Sequence, residues 1–244
     1  ISVTSVRNPQ YPHHASLWFG CDRVNGGNYW QDKMEHGRIL TESLVLQGAT
    51  RGTSADLPTM SGQEVMISQT CIWRRPGTPE PFRDTRRYVI TAPSTELRVI
   101  DATITLEALI DVEIEKTNHS FFSLRADPAF AVALGGTMVN AEGIKGEKET
   151  FGKGSPWMAF FGKHGTGVEE GIALFQHPSN PWYPAPWFTR DYGFLSPTPM
   201  FWPQDGKSTK LKQGEKLALR YRTVVFAGDA ESAKLNELYE VYAK

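Results

Sequence analysis

The chain has 244 residues with 26 Lys plus Arg against 27 Asp plus Glu, and its only basic pairs, Arg74-Arg75 and Arg86-Arg87, are short and separated. Such a balance supplies no set of phosphate contacts, so no nucleic-acid partner is expected. No apolar run has the length of a bilayer span, so no membrane partner is expected either.

Sixteen prolines and 22 glycines punctuate many short segments. This is the pattern of an all-β fold, and the length suits one β-sandwich domain over 1–244. Cys21 and Cys71 show no CxxC or zinc-type spacing and are expected to be reduced and buried. The chain begins at Ile1 without a methionine. The expected location is cytoplasmic, or periplasmic or secreted if an upstream signal peptide was removed.

In chain order, residues 13–30 hold a short apolar strand that runs into the turn Asn25-Gly26-Gly27-Asn28, where glycine tolerates positive φ. Strands are predicted over 39–49, 64–75, 87–92 and 97–106. In the last, Ile100, Ala102, Ile104 and Leu106 form the better core face. Residues 108–117 alternate, with Ile110, Val112 and Ile114 inward and Asp111, Glu113 and Glu115 outward, as in a half-covered antiparallel sheet. Further strands are predicted over 157–162, 171–175 and 216–227, and Gly165-Thr166-Gly167-Val168 reads as a turn. A single helix follows: Asp229 can cap it, and Leu235, Leu238, Tyr239 and Tyr242 recur at helical spacing. The predicted architecture is two antiparallel sheets packed face to face, with a C-terminal helix over one edge or face.

Four segments carry side chains suited to chemistry. The first is Tyr11-Pro12-His13-His14, followed by Trp18, Asp22, Asn25 and Trp30. Adjacent histidines on an extended chain point to opposite sides, so one of His13 and His14 enters a given pocket. The second is 116–128, with Asn118, His119 and Arg125 after a patterned strand. The third holds the acids Glu142 and Glu170, the latter at the start of an apolar strand. The fourth, 177–193, packs four prolines and five aromatics around His177, Asn180, Trp187, Arg190 and Tyr192. So many prolines exclude a helix or a central strand and leave an ordered loop. Aromatic faces stack on the apolar side of sugar rings while amides and guanidinium groups bind hydroxyls, which suits a concave small-molecule site. HExxH, a Walker or Rossmann glycine loop and GxSxG are all absent. No cofactor is expected, and a metal held by His13, His14 or His177 stays open.

Two long stretches, His13-His14-Ala15-Ser16-Leu17-Trp18-Phe19-Gly20 with Val24-Asn25-Gly26, and Glu170-Gly171-Ile172-Ala173-Leu174-Phe175-Gln176-His177-Pro178-Ser179-Asn180-Pro181, resemble the soluble bacterial family labelled "methane oxygenase PmoA". Trp187 through Gly193 and Leu219-Arg220-Tyr221-Arg222 fit the same pattern. The label implies a membrane oxygenase, which a chain without a membrane span contradicts. The resemblance instead implies work beside sugar-degrading genes, and the last motif resembles the closing strand of sugar-binding supersandwiches.

The leading expectation is therefore a carbohydrate-active enzyme, a hydrolase, lyase or epimerase, acting on a neutral saccharide. His119 or His177 would move a proton, with Glu170 or Glu142 as partner. Arg125 or Arg190 would steady negative charge. Ligand contacts would come from His13, His14, Trp18, Asn25, Trp30, Asn180, Trp187 and Tyr192. The alternative is a non-catalytic carbohydrate-binding or accessory protein. A histidine within hydrogen-bond reach of a carboxylate at the pocket favours the enzyme. Oligomeric state is open.

Overall fold

The computed structural model describes residues 3–5, 11–31, 33, 35–48, 50–52, 59–61, 64–163 and 167–244. The end of the strand predicted at Ala49, and Gly165 and Thr166 of the predicted turn, lie outside them. The strands are β1 (Leu17–Cys21), β2 (Arg38–Gln47), β3 (Thr50–Gly52), β4 (Thr59–Ser61), β5 (Glu64–Arg74), β6 (Phe82–Thr91), β7 (Leu97–Ala108), β8 (Val112–Glu115) and β9 (Ser120–Arg125). They continue with β10 (Thr137–Asn140), β11 (Trp157–Lys163), β12 (Glu169–Gln176), β13 (Trp187–Arg190), β14 (Phe194–Pro197), β15 (Ser208–Leu211) and β16 (Lys216–Ala227). Two short helices, α1 (Glu147–Thr150) and α2 (Leu235–Tyr242), accompany them.

The fold is all-β. A large eight-stranded sheet runs in the order β10-β11-β12-β16-β7-β6-β5-β2, and a smaller one in the order β1-β9-β14-β13. Their facing sides share one core. Ala102, Ile104 and Leu106 of β7, Ile172 and Leu174 of β12, and Leu217, Leu219 and Tyr221 of β16 meet Phe19, Phe122, Leu124, Trp187 and Leu195 from the small sheet. The two-residue period puts the next residues on the other face of the large sheet. There Ala173, Phe175, Val224 and Phe226 pack against Leu235 of α2. Each fully buried aromatic or aliphatic side chain contributes about 1.5–3 kcal/mol.

Two elements differ from the sequence expectation. The alternating run 108–117 is not one strand. β7 ends at Ala108, whose carbonyl accepts from Gly214 N–H, and β8 then pairs with β15 in a small separate sheet. Val112 and Ile114 are nonetheless buried, as their parity requires. The C-terminal helix is shorter than predicted because Lys234 takes a left-handed φ of 54° and ends the preceding turn. Asp229 caps that turn, its Oδ1 accepting from Glu231 and Ser232 N–H. Both cysteines are free and buried. Among the described residues no helix is long and apolar enough to cross a membrane.

One buried charge pair stands on the core face of β5 and β6. Asp84, fully buried, accepts from Trp73 Nε1 at 2.6 Å and from Arg86 Nε and Nη2 at 2.6 and 2.9 Å. Asp84→Ala leaves a buried guanidinium and an indole N–H unpaired, and is expected to cost about 3–5 kcal/mol in urea denaturation. Asp84→Leu combined with Arg86→Met is expected to recover most of that loss. A double variant as unstable as the single would show that the unpaired charge is not the cause.

Candidate functional site

The outward face of the small sheet is not covered by another sheet. Trp18, Arg125, Phe188, Arg190 and Phe194 sit there because their neighbours Phe19, Leu124, Trp187 and Leu195 face the core. Pairing of Phe194 with both Arg125 and Arg190 sets these three side chains in one row across β9, β14 and β13. Segment 11–14 and the loops around 28–31 and 117–119 lie over this face. The gap they leave is a hollow of about 250 Å3 lined by His13, His14, His119, Arg190, Tyr192 and Phe194, among others.

His119 is the best-oriented group. β1 and β9 pair as far as Cys21 opposite Ser120, and the next two residues in this register are Asp22 and His119. Their backbones bond, Asp22 N–H to His119 C=O, at 3.1 Å. Their side chains meet as well, His119 Nδ1 lying 3.1 Å from Asp22 Oδ2. Thr117 Oγ1 donates to the other carboxylate oxygen and accepts from His119 N–H. Trp30 stacks on the imidazole at 5.2 Å between centroids. Trp30 is itself placed by an Asn28 side chain that accepts from the Trp30 and Gln31 N–H groups. Gly20 makes room for this loop, since a Cβ there would lie 2.6 Å from the Tyr29 carbonyl.

His14 is packed as a core ring. It stacks at 5.0 Å on each of Tyr11, Trp18 and Phe194. Neither ring nitrogen has a hydrogen-bond partner among the described residues. Burial first, then the charges of His13, Arg125 and His119, push its pKa down to about 3. Burial and the charges of His119 and Lys33 also lower His13. Both imidazoles are therefore neutral near pH 7. Arg125, 7% exposed, lies over the Tyr192 ring at 4.4 Å, with its Nε and Nη1 unpartnered among the described residues. Gly193, at φ 101°, closes the β13–β14 turn that sets Tyr192 there. Arg190 pairs with Glu147 at 2.9 Å and lies over Phe188 at 4.1 Å. Across His13, a second hollow of about 370 Å3 opens between β1 and the core face of β2, β5 and β6, and Trp18 and Trp30 form part of its wall.

The structure thus gathers His13, His14, Trp18, Trp30, His119, Arg125, Arg190 and Tyr192. The other candidates lie elsewhere. His177, expected to move a proton, stands beside α2: its Nδ1 engages Ser179, and its ring meets Tyr242 edge-on at 5.1 Å. Asn180 is spent on the backbone of Arg220, donating to its carbonyl and accepting from its N–H. Trp187 is no stacking wall, because it is fully buried and its Nε1 donates to the Ser155 carbonyl. Asn25 is a backbone clip between Asp111 and Glu113 in its turn. Glu142 is an exposed loop residue, and Glu170 pairs with Gly162 and Ala227 across the large sheet. Neither acid contacts a histidine of the hollow. Among the described residues no three His, Cys, Asp or Glu side chains converge as metal ligands.

Sequence reasoning missed Asp22 as the carboxylate partner, together with Thr117, Phe188 and Phe194. Asp22 lies 97 positions from His119, and only the strand pairing brings them together.

The neutrality of His14 links stability to pH. Its folded pKa lies below the unfolded value near 6.5, so the unfolded chain binds the extra proton. The stability this gives is complete above pH 6.5 and is lost as pH falls toward 3. From pH 6.5 to 5 the loss attributable to His14 is about 2 kcal/mol. Urea denaturation should show this extra acid sensitivity in the wild-type chain and its absence in His14→Phe. Equal pH slopes for the two proteins would refute it.

Among solved structures the chain is similar in outline to the galactosidase domain of an α-galactosidase–sucrose kinase, with 10% identity and a TM-score of 0.38, covering 91% of this chain and 31% of that one. It is equally similar to a putative kojibiose phosphorylase from human microbiome, again with 10% identity and a TM-score of 0.38, covering 99% of this chain and 27% of the other. The chain spans less than a third of the length of these two proteins, and no residue role is carried over from them. No curated protein matches. A family model matches residues 1–240, and its description is of a family of unknown function rather than of a methane oxygenase. The chain belongs to that family, DUF6807.

Proposed function

We propose that this protein is a carbohydrate-active enzyme in which His119 moves a proton to or from a sugar held in the hollow on the small sheet. The Asp22–His119 hydrogen bond carries this reading. A carboxylate on Nδ1 fixes the proton there, so Nε2 is left as the basic nitrogen. Asp22 then steadies the imidazolium once Nε2 has taken a proton. Trp30 and Thr117 hold the pair in place. Phe188, Phe194 and Tyr192 give the hollow an apolar wall, and Arg190, held by Glu147, adds guanidinium N–H groups at its rim. No Asp or Glu lines the hollow among the described residues. That speaks against hydrolysis by two facing carboxylates and favours proton abstraction, as in a lyase or epimerase.

The test is turnover of a panel of oligosaccharides, followed by NMR of the products, with binding measured by calorimetry. His119→Ala is expected to lower kcat by about 10²–10⁴-fold while ligand affinity changes little. Asp22→Asn should shift the acid limb of the pH–rate profile, which a merely structural residue would not do. His177→Ala should keep full activity. Full turnover in folded His119→Ala would remove the residue from the mechanism. Sugar binding without turnover by any wild-type preparation would instead point to the accessory, non-catalytic protein.

A further inference from the structure

We infer that the ligand is an anionic saccharide, a sugar bearing a carboxylate or phosphate, recognised by the positive field that buried Arg125 creates behind the hollow. This rests on the reading of the hollow as a sugar site, and it replaces the neutral saccharide expected from the sequence.

Arg125 carries the inference. A guanidinium stays charged under all ordinary conditions. This one is more than nine-tenths buried, with Nε and Nη1 unpartnered among the described residues. It lies over the face of Tyr192, whose ring also lines the hollow. A cation–π contact of this kind is worth about 0.5–2 kcal/mol, less than the several kcal/mol that burial of an unpaired ion costs. The same chain shows what a satisfied buried guanidinium looks like. Arg86 is closed off by both oxygens of Asp84. Arg125 has no such acid among the described residues, so a counter-charge is left for the ligand to bring.

The surroundings agree with this. Arg190 stands across Phe194 from Arg125 in the same row. Arg190 is paired with Glu147, and Asp22 with His119 and Thr117, so the unbalanced charge behind the hollow is that of Arg125. Within a partly desolvated cleft such a field selects anions over neutral isosteres. His13 and His14, both neutral, add N–H donors without competing charge.

Calorimetric titration of the full chain with matched pairs tests the inference: glucose against glucuronate, galactose against galacturonate, and glucose 6-phosphate as the phosphate arm. Acetate and succinate serve as acids without a sugar. The acidic sugars are expected to bind at least about tenfold more tightly than their neutral partners. In Arg125→Met that preference should fall below about threefold, and in Arg125→Lys it should largely persist. The carboxylate and phosphate arms then tell which group is preferred. If Arg125→Met does not fold, the wild-type preference decides by itself when measured at low salt and at about 0.5 M NaCl, where screening should shrink it. Equal binding of acidic and neutral sugars overturns the inference and leaves the saccharide reading standing. Acetate or succinate binding as tightly as the uronates overturns the saccharide reading. Binding of none of these probes overturns both.

Discussion

The antiparallel register of β1 on β9 is the constraint on which the core and the candidate site both depend. Leu17 opposite Leu124 and Phe19 opposite Phe122 point into the sandwich, which obliges Trp18 and Arg125 to point out of it. A slip of one residue would exchange the two sets. Phe121 secures the register in an unusual way. Its φ of 69° turns a residue that strand alternation would send outward into the same core as Phe122, where it stacks on Phe19 at 5.6 Å. Positive φ on a bulky residue is costly, and it persists where packing over-determines it. Here the ring is fully buried, and the distorted residue lies two positions from His119. The strand pairing and the hydrogen-bonded Asp22–His119 pair are one construction.

The two faces of the sheets treat polar groups differently. Inside the sandwich, Asp84, Arg86 and Trp73 satisfy one another. On the outward face of the small sheet, buried nitrogens of His14, Trp18, Trp30 and Arg125 go without partners among the described residues. Buried polar groups are usually paired, so a cluster of exceptions on one side of a domain stands out from the rest of the interior. On the helix-covered face of the eight-stranded sheet, Trp157 Nε1 donates to Asn236 at 3.0 Å, while the Tyr242 hydroxyl is without a partner among the described residues.

Much of the fold was legible in the sequence. The two-residue periods of β7, β8 and β16 name their core faces correctly because each has one covered and one wetter side. β9 was not legible as a strand. All six of its residues are buried, and Ser120 and Ser123 break the apolar run although neither is exposed. The helix end was misjudged because nothing about a lysine announces a left-handed φ. Within the site, the aromatic and histidine content of 11–30 and 116–128 marked the right segments. The segment 177–193 misled in part. Its density of aromatics reflects Trp187 plugging the core, while its prolines shape the approach to the edge strand β13, which with the turn after it brings Phe188, Arg190 and Tyr192 to the hollow. The pairing of Asp22 with His119 is a tertiary fact that no spacing rule encodes.

The hollow lies over a sheet face and draws on both strands and loops: Phe188, Arg190 and Phe194 stand on paired strands, which hold their geometry more tightly than loops do, while His13, His14, His119 and Tyr192 come from connecting segments. The loops above supply rings that exclude water, and Trp18, Trp30, Phe188 and Phe194 form a small second core beneath them. His14 is wedged among these rings, and a proton on it would place an unpaired charge beside Arg125. The site therefore disfavours any added positive charge, from a protonated imidazole or from a cationic ligand alike. His119 differs in its partner: the Asp22 carboxylate lies 3.1 Å from its Nδ1, where His14 has no hydrogen-bond partner for either ring nitrogen among the described residues.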